Sequence, residues 1–237
     1  MKNINKNNIE FFDNQWESIF NNPTTKFYHM SFMGQTDQEF VKYIVDGAGI
    51  NKNSTVLDMG CGSGYLVNQL SELCEAEGIS NSPVAVKGCQ NLYPDNKFTL
   101  GDMETYESKL KSHILSLESF SYSNMEKSFK NCHKNLAAGG TLFIKEWCSV
   151  ENETQESKEN IKLLEDVFFY YPKKLSTLLN LADRNGFRLI DEKNLLHNIN
   201  TIPYGATLPY HYDAVKNFKF PHDVETIFPV QLKFRKK

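Results

Sequence analysis

The chain has 237 residues, of which 40% are hydrophobic, 13% aromatic and 23% charged. These proportions are typical of a globular protein with a sizeable core, and they exclude a disordered, collagen-like or disulfide-scaffold chain. The 26 Lys and Arg residues are outnumbered by 29 Asp and Glu, which gives a formal net charge of -3. Because a nucleic-acid-binding domain is expected to be basic, we expect no nucleic-acid partner.

The distribution of apolar residues indicates in which cellular compartment we expect the protein. The sequence has no uninterrupted apolar run of about 18 residues, and its first residues lack the apolar stretch of a secretory signal. We therefore expect no membrane span and a cytoplasmic protein, and the sequence leaves homo-oligomerisation open. The five cysteines form no Cys-x-x-Cys pair, which predicts free thiols and no metal site.

Short β-rich runs alternate with segments of helical periodicity, the pattern of βαβ units in a largely parallel sheet. Before the first run, Thr36 and Glu39 form a capping box for a helix that ends near Ala48. The predicted strands are 55–57, 76–79, 98–100, 114–117, 141–145, 187–190 and 228–234.

The helices between these strands are predicted from apolar residues spaced three or four apart, and from their start and stop residues. The residues that mark them are Leu66, Leu70 and Leu73; Pro83 and the residues to 92; Met125, Phe129, Cys132 and Leu136, before a stop at Gly139 and Gly140; Leu163, Leu164, Val167 and Phe168; and Leu175, Leu178, Leu179 and Ala182.

Residues 56–64, Val-Leu-Asp-Met-Gly-Cys-Gly-Ser-Gly, form a hydrophobic strand that ends in an acid, followed by a glycine-rich turn into a helix. Glycines permit positive φ and a close approach of backbone to ligand, and a helix amino terminus offers free amides. The pattern predicts a site for an anionic ligand with a nucleoside. The dinucleotide fingerprint fits less well, because Tyr65 follows Gly64 and Ser80 stands near where an acid is expected. No Gly-Lys-Ser/Thr closes the turn, which excludes a Walker A loop.

The same residues resemble motif I of the class I S-adenosylmethionine-dependent methyltransferases, Val-Leu-Asp-x-Gly-Cys-Gly-x-Gly. The resemblance covers about residues 52 to 147 and includes the segments 78–82, 101–103, 117–119 and 136–142. It implies a Rossmann-like α/β fold with a mostly parallel seven-stranded sheet, helices on both faces and an antiparallel last strand at about 226–235.

The chain is interpreted as two parts. Residues 1–50 form an N-terminal helical cap, and residues 51–237 form the Rossmann-like methyltransferase domain. Insertions near 149–173 and 194–222 are expected to form a lid over the acceptor.

The resemblance implies S-adenosylmethionine as cofactor and S-adenosylhomocysteine as product. It assigns the methionine part of the cofactor to the glycine turn, with Asp58 organising the turn or contacting the amino group. Ser80 falls where many members carry the acid that binds the ribose hydroxyls, and Asp102 falls at the adenine-contacting acid. The residues expected to bind the cofactor are Asp58, Gly60, Cys61, Gly62, Gly64, Ser80, Asn81, Asp102 and Met103.

The hydroxyl residue at Ser80 resembles the Gly-Val-Thr-Leu-Ser pattern of cyclopropane-fatty-acid synthases and of sterol and isoprenoid C-methyltransferases. In that group a Glu after the fourth strand stabilises a carbocation or assists deprotonation, and its setting resembles residues 118–122. We therefore predict catalytic roles for Glu118 and Tyr122. The Asp/Asn-Pro-Pro-Tyr/Phe motif of amino-methylating DNA enzymes is missing, as is the Pro before Cys148 of cytosine-C5 enzymes, which disfavours nucleobase acceptors.

The predicted function is methyl transfer to a small molecule, in its sharper form C-methylation of an isoprenoid or lipid-like acceptor. O- or N-methylation of a small metabolite, a nicotinamide-dependent oxidoreductase and a non-catalytic partner subunit stay open as alternatives. Asp102 can instead cap a helix, and Glu118 can be a solvated loop residue. Aromatic and histidine residues of the cap and tail are candidate acceptor contacts, with packing as the alternative: Tyr28, His29, Tyr204, Tyr210 and His211.

Overall fold

A seven-stranded sheet organises the chain, which this computed structural model describes at residues 4–21, 37–194 and 227–237. The strand order is β3-β2-β1-β4-β5-β7-β6, and β7 runs antiparallel to both of its neighbours while the β1 to β5 pairings are parallel. The strands are β1 Thr55–Met59, β2 Glu75–Ser80, β3 Lys97–Leu100, β4 Lys111–Leu117, β5 Leu136–Ser149, β6 Phe187–Asn194 and β7 Ile227–Lys236. The predicted sheet, with its antiparallel last strand, is confirmed.

Helices cover both faces of this sheet, as predicted. Successive side chains of a strand point to opposite faces, so Val56 packs in one cluster with α2 and α3 while Leu57 packs in another with α5 and α7. The helices are α1 Ile4–Asn21, α2 Asp37–Ala48, α3 Tyr65–Ser71, α4 Pro83–Leu92, α5 Met125–Asn135, α6 Gln155–Phe168 and α7 Leu175–Arg184.

The predicted end of the helix before strand five is wrong. α5 ends at Asn135, whose side-chain amide donates to the Asn131 carbonyl at 2.9 Å. Leu136 is already extended, with ψ 138°, and pairs with Lys111 as the first residue of β5. Both glycines lie inside β5, between Leu136 and Thr141, where the register with β4 shifts, and Gly139 has φ 69°.

The helix after β1 is also shorter than predicted. α3 ends at Ser71, and the amides of Leu73 and Cys74 both donate to the Leu70 carbonyl at 2.9 Å. Leu73 therefore lies in the following turn and is 40% exposed, so it does not share the buried face of Leu66 and Leu70.

Some predicted features lie outside the described residues. These are the capping residue Thr36, nearly all of the lid segment 194–222, and the five acceptor contacts Tyr28, His29, Tyr204, Tyr210 and His211. The segment 149–173 contains α6, and its lid role stays a prediction, as does the domain boundary at residue 50. None of the helices described is long and apolar enough to cross a lipid bilayer. All five cysteines are free thiols.

Aromatic contacts build the core between the sheet and α5. Phe129 of α5 is fully buried, and its ring centroid lies 5.0 Å from that of Phe120, 5.9 Å from Phe187 and 6.2 Å from Phe234. Edge-on and tilted rings at such distances attract one another beyond the burial of their area. This one side chain therefore joins α5, β6, β7 and the chain after β4.

Phe129→Ala should lower the free energy of unfolding by about 3 to 5 kcal/mol, because the truncation leaves a cavity among three rings. Leu110→Ala is the control, since Leu110 is 62% exposed and its loss should change stability by less than about 0.5 kcal/mol. Urea denaturation followed by circular dichroism measures both. A Phe129→Ala loss as small as that of the control would show that this core does not depend on Phe129.

Candidate active site

The glycine turn after β1 has the left-handed backbone that its sequence predicts. Gly60, Gly62 and Gly64 have φ of 84°, 54° and 76°, values that favour glycine. The amides of Gly60 and Cys61 both donate to the Ile79 carbonyl, at 2.9 and 3.0 Å. The turn is thereby folded against the end of β2.

Neighbouring side chains leave no room for a Cβ on these glycines. A Cβ on Gly60 would lie 2.5 Å from the Cβ of Ser119, and one on Gly62 would lie 2.9 Å from the ring of Trp16 in α1. A Cβ on Gly64 would lie 2.8 Å from the ring of Phe98 in β3. The turn therefore requires glycine for close packing as well as for φ.

Ser119 connects this turn to the end of β4. Its hydroxyl donates to the Met59 carbonyl at 2.7 Å and lies 2.6 Å from the Ser116 hydroxyl. Ser119 therefore contacts Gly60 and is also hydrogen-bonded to β1, through Met59, and to β4, through Ser116. The residues that follow β4 are consequently held beside the turn.

Asp58 and Cys61 are both buried at the start of the turn. Asp58 is 4% exposed, and this burial raises the pKa of its carboxyl to about 7. The pKa of the Cys61 thiol is well above its usual value because of a hydrogen bond with Cys89 and burial. Cys61 is therefore a neutral packing residue here, whereas Asp58 titrates near neutral pH.

Ser80 and Asp102 follow the neighbouring strands, at the same edge. The Ser80 hydroxyl accepts from the Ser82 amide at 3.2 Å, and the Ser80 carbonyl accepts from the Gly101 amide at 2.9 Å. An oxygen of Asp102 accepts from the Glu104 amide at 2.8 Å, so Asp102 closes a turn and does not cap a helix. Asp58, Ser80 and Asp102 thus lie at or just after the carboxyl ends of three adjacent strands, as the sequence predicts.

Asn81 and Met103 complete the predicted cofactor set. Both are half-buried next to the strand ends, and the methyl carbon of Met103 lies 3.8 Å from the position of a Cβ on Gly60. Met103 also packs against the main core. The structure therefore brings the whole predicted cofactor set to one edge, and their binding roles remain predictions.

Glu118 directly follows β4 and has a strained backbone. Its φ of 57° is unusual for a residue other than glycine, and such strain persists only where the surroundings enforce it. The Glu118 amide donates to the Lys145 carbonyl at 2.7 Å, and the Lys145 ammonium donates to the Glu118 carboxylate at 2.5 Å. Lys145 is 3% exposed, so a buried cation fixes this acid at the edge of the sheet.

Tyr122 lies in a group of aromatic rings that we call the aromatic wall: Phe12, Tyr122 and Tyr170. The ring centroid of Tyr122 is 4.8 Å from that of Phe12 in α1 and 5.1 Å from that of Tyr170, and both pairs are edge-on. Burial raises the pKa of Tyr122 well above its usual value, and the charges of Glu146 and Glu118 add to this effect. Its hydroxyl is therefore neutral at physiological pH.

Glu146 is a candidate active-site residue that was not predicted from the sequence. It is 1% exposed in β5, and its carboxylate accepts from the Ser121 amide at 3.0 Å, the Trp147 amide at 3.1 Å and the Tyr170 hydroxyl. Burial nevertheless outweighs these bonds and raises the pKa of Glu146 to about 7. An acid inside an apolar strand run was the available signal, but β5 was predicted to stop at Lys145 and continues to Ser149.

Known proteins resemble this chain in sequence and in fold. Residues 50–201 match the family described as a methyltransferase domain, which covers more than half of the chain, and the chain belongs to that family. A sterol 24-C-methyltransferase of Kluyveromyces lactis is 25% identical over 236 residues, which is 92% of this chain and 62% of that protein. The chain thus spans about three-fifths of the length of this curated relative.

Two of the solved structures that share the fold are described by the proteins they contain. A geranyl diphosphate C-methyltransferase from Streptomyces coelicolor superposes with a TM-score of 0.72 at 12% identity, over 100% of this chain and 99% of that one. A cyclopropane synthase from Mycobacterium tuberculosis gives a TM-score of 0.70 at 14% identity, over 93% and 98% of the two chains. At such identities the agreement concerns the fold alone.

Glu146→Gln should flatten the dependence of stability on pH. Because the pKa of Glu146 is raised in the folded state from 4.5 to about 7, its contribution to stability is full below about pH 4.5 and is lost as the pH rises to about 7. In that window the slope of the unfolding free energy should change by up to about 1.4 kcal/mol per pH unit, the value for one proton. Urea titrations between pH 4.5 and 8 measure this slope.

Glu156→Gln is the matched control, because Glu156 is exposed in the first turn of α6. It should leave the slope unchanged. A wild-type slope in Glu146→Gln would mean that Glu146 does not take up a proton in this range.

Proposed function

We propose that this protein is an S-adenosylmethionine-dependent methyltransferase that methylates a carbon atom of an isoprenoid or other lipid-like small molecule. The observation that carries the proposal is the position of the acid and the aromatic wall beside the glycine turn. Ser119 contacts Gly60, while Glu118 and Tyr122 stand within three residues of Ser119 in the chain.

The glycine turn fits the proposed cofactor. The turn has positive φ at Gly60, Gly62 and Gly64 and an acid, Asp58, buried at its start, which are the backbone and the side chain that the proposed cofactor site requires. The residues that would hold the cofactor are Asp58, Gly60, Gly62, Gly64, Ser80, Asn81, Asp102 and Met103, with Cys61 packing beneath. When bound, the cofactor supplies a methyl group already activated on a sulfonium.

The acceptor side suits an apolar, electron-rich carbon. Attack by an alkene leaves a positive charge on the acceptor, which a carboxylate and aromatic faces stabilise. Glu118 supplies the carboxylate, held by Lys145, and the rings of Phe12, Tyr122 and Tyr170 supply the faces. An acceptor of this kind carries no proton that must leave before methylation, and Glu118 can take up a proton afterwards.

The comparisons support the same acceptor class. The curated relative acts on a sterol by name, and the Streptomyces protein was crystallised with geranyl diphosphate and S-adenosylhomocysteine. O- or N-methylation of a small metabolite and a non-catalytic partner subunit are the alternatives. A cytoplasmic location and the absence of a nucleic-acid partner belong to the same proposal, and the net charge of -3 supports the second of them.

Gly60→Ala should abolish binding of S-adenosylhomocysteine. The new Cβ would face the Cβ of Ser119 at 2.5 Å, which forces the turn to move. Gly139→Ala is the matched control, because Gly139 also has a positive φ of 69° but a Cβ there meets nothing within 4 Å. Isothermal titration calorimetry should give micromolar binding, about -8 kcal/mol, for the wild type and Gly139→Ala. Equal affinity in Gly60→Ala would contradict the assignment of the turn.

Glu118→Gln should lower kcat by about 10² to 10⁴-fold while leaving the affinity for S-adenosylhomocysteine within a few-fold, because the carboxylate acts on the acceptor. The change also leaves Lys145 without its carboxylate, so the unfolding free energy should fall. The double variant Glu118→Gln with Lys145→Met removes both charges and separates the two effects. Recovered stability with low turnover is expected, and recovered turnover would refute a catalytic Glu118.

A methyl-transfer assay with labelled S-adenosylmethionine tests the acceptor class. The acceptors are geranyl diphosphate, a sterol with a side-chain alkene, and the same sterol with a saturated side chain as the matched control. Label is expected in an alkene acceptor and absent from the saturated sterol. Labelling confined to a parallel panel of hydroxyl and amine compounds would replace C-methylation by O- or N-methylation, and binding without any transfer would favour the non-catalytic alternative.

A further inference from the structure

Helix α1 lies across the edge of the sheet where the cofactor site is proposed. The ring of Phe12 contacts Tyr122, and Trp16 lies against Gly62 in the glycine turn. One turn further along the helix, Phe20 packs against Gly88 in α4. The helix therefore spans the distance from the aromatic wall to α4 and passes over the glycine turn.

Asp13 projects from the same stretch of α1 toward the end of β2. One oxygen of its carboxylate, Oδ1, accepts hydrogen bonds from the Ser82 hydroxyl and, at 3.4 Å, from the Val84 amide. Ser82 in turn donates its amide to the Ser80 hydroxyl at 3.2 Å. Asp13 is half-buried, and its second oxygen, Oδ2, has no hydrogen-bond partner among the residues that the structure describes.

Ser80 alone is a poor acceptor for the two hydroxyls of a ribose. It has a single side-chain oxygen, and that oxygen already accepts from the Ser82 amide. A carboxylate has two oxygens with about four lone-pair sites, so it can accept from two neighbouring hydroxyls at once. The position that follows β2 therefore lacks the group best suited to ribose, while a carboxylate lies beside it on another element.

We propose that Asp13 binds the ribose hydroxyls of the cofactor from α1, and so replaces an acid at the position of Ser80. Oδ1 stays bonded to the start of α4, which fixes the carboxylate, and Oδ2 is left to accept a hydrogen bond from the ribose. This inference rests on the proposed S-adenosylmethionine site. It makes α1 a part of the cofactor site as well as a cover.

The test compares S-adenosylhomocysteine with its 2′-deoxy and 3′-deoxy analogues by isothermal titration calorimetry on the full chain. A hydrogen bond to a charged group is lost with each missing hydroxyl, so the wild type should bind at least one analogue roughly 10 to 100-fold more weakly. Asp13→Asn should lose most of this preference and bind the weaker analogue within about threefold of the wild type. Glu17→Gln is the control, because Glu17 is exposed one turn further along α1, and it should keep the preference.

The ratio of affinities within one variant separates ribose binding from a purely structural role. If Asp13 only caps α4, Asp13→Asn would weaken all three ligands by the same factor and keep the wild-type preference, which would overturn the inference. Restoration of the preference by Ser80→Asp in the Asp13→Asn background would confirm it, because an acid would then stand at the usual position. A wild type that binds none of the three ligands would instead overturn the proposed cofactor.

Discussion

The close approach of the glycine turn to Ser119 is the contact on which the rest of the site depends. Gly60 has no Cβ, so the end of β4 can lie against the turn, and the Ser119 hydroxyl then reaches the Met59 carbonyl at the end of β1. This bond orients the chain that carries Glu118 and Tyr122. One missing side chain thus sets the separation between the glycine turn and the groups that we propose to face the acceptor.

Two acids lie beside the aromatic wall, and their carboxylates have different kinds of hydrogen-bond partners. Glu118 is paired with the buried ammonium of Lys145, whereas Glu146 is held by the Ser121 and Trp147 amides and the Tyr170 hydroxyl. The first arrangement balances a charge with a charge. The second uses neutral donors, and burial then leaves the pKa of Glu146 near neutral pH. Hydrogen bonds from neutral donors therefore do not offset the free-energy cost of removing the ionised Glu146 carboxylate from water.

The glycine turn and the carboxyl ends of β1 to β4, within about two residues, could be predicted because their signals are local. Residues 56–64 carry both the strand and the turn, and short β-rich runs mark the other strands. The helix ends were misplaced where tertiary contacts decide, as at Leu136, which pairs with Lys111. Asp13 was missed for the same reason, whereas Glu146 was missed because β5 continues past its predicted end at Lys145. Asp13 meets Ser82 across 69 positions of the chain, and no local pattern encodes that contact.

Helix α1 contacts both halves of the proposed site through side chains one turn apart. Trp16 lies on the glycine turn and Phe12 on the aromatic wall, four residues apart in one helix of 18 residues. A ligand that moved the helix at one contact would disturb the other. The affinities for the proposed cofactor and the proposed acceptor would then be thermodynamically linked, and the linkage would be reciprocal. Such a helix gives the enzyme a means of ordering substrate binding without a separate regulatory domain.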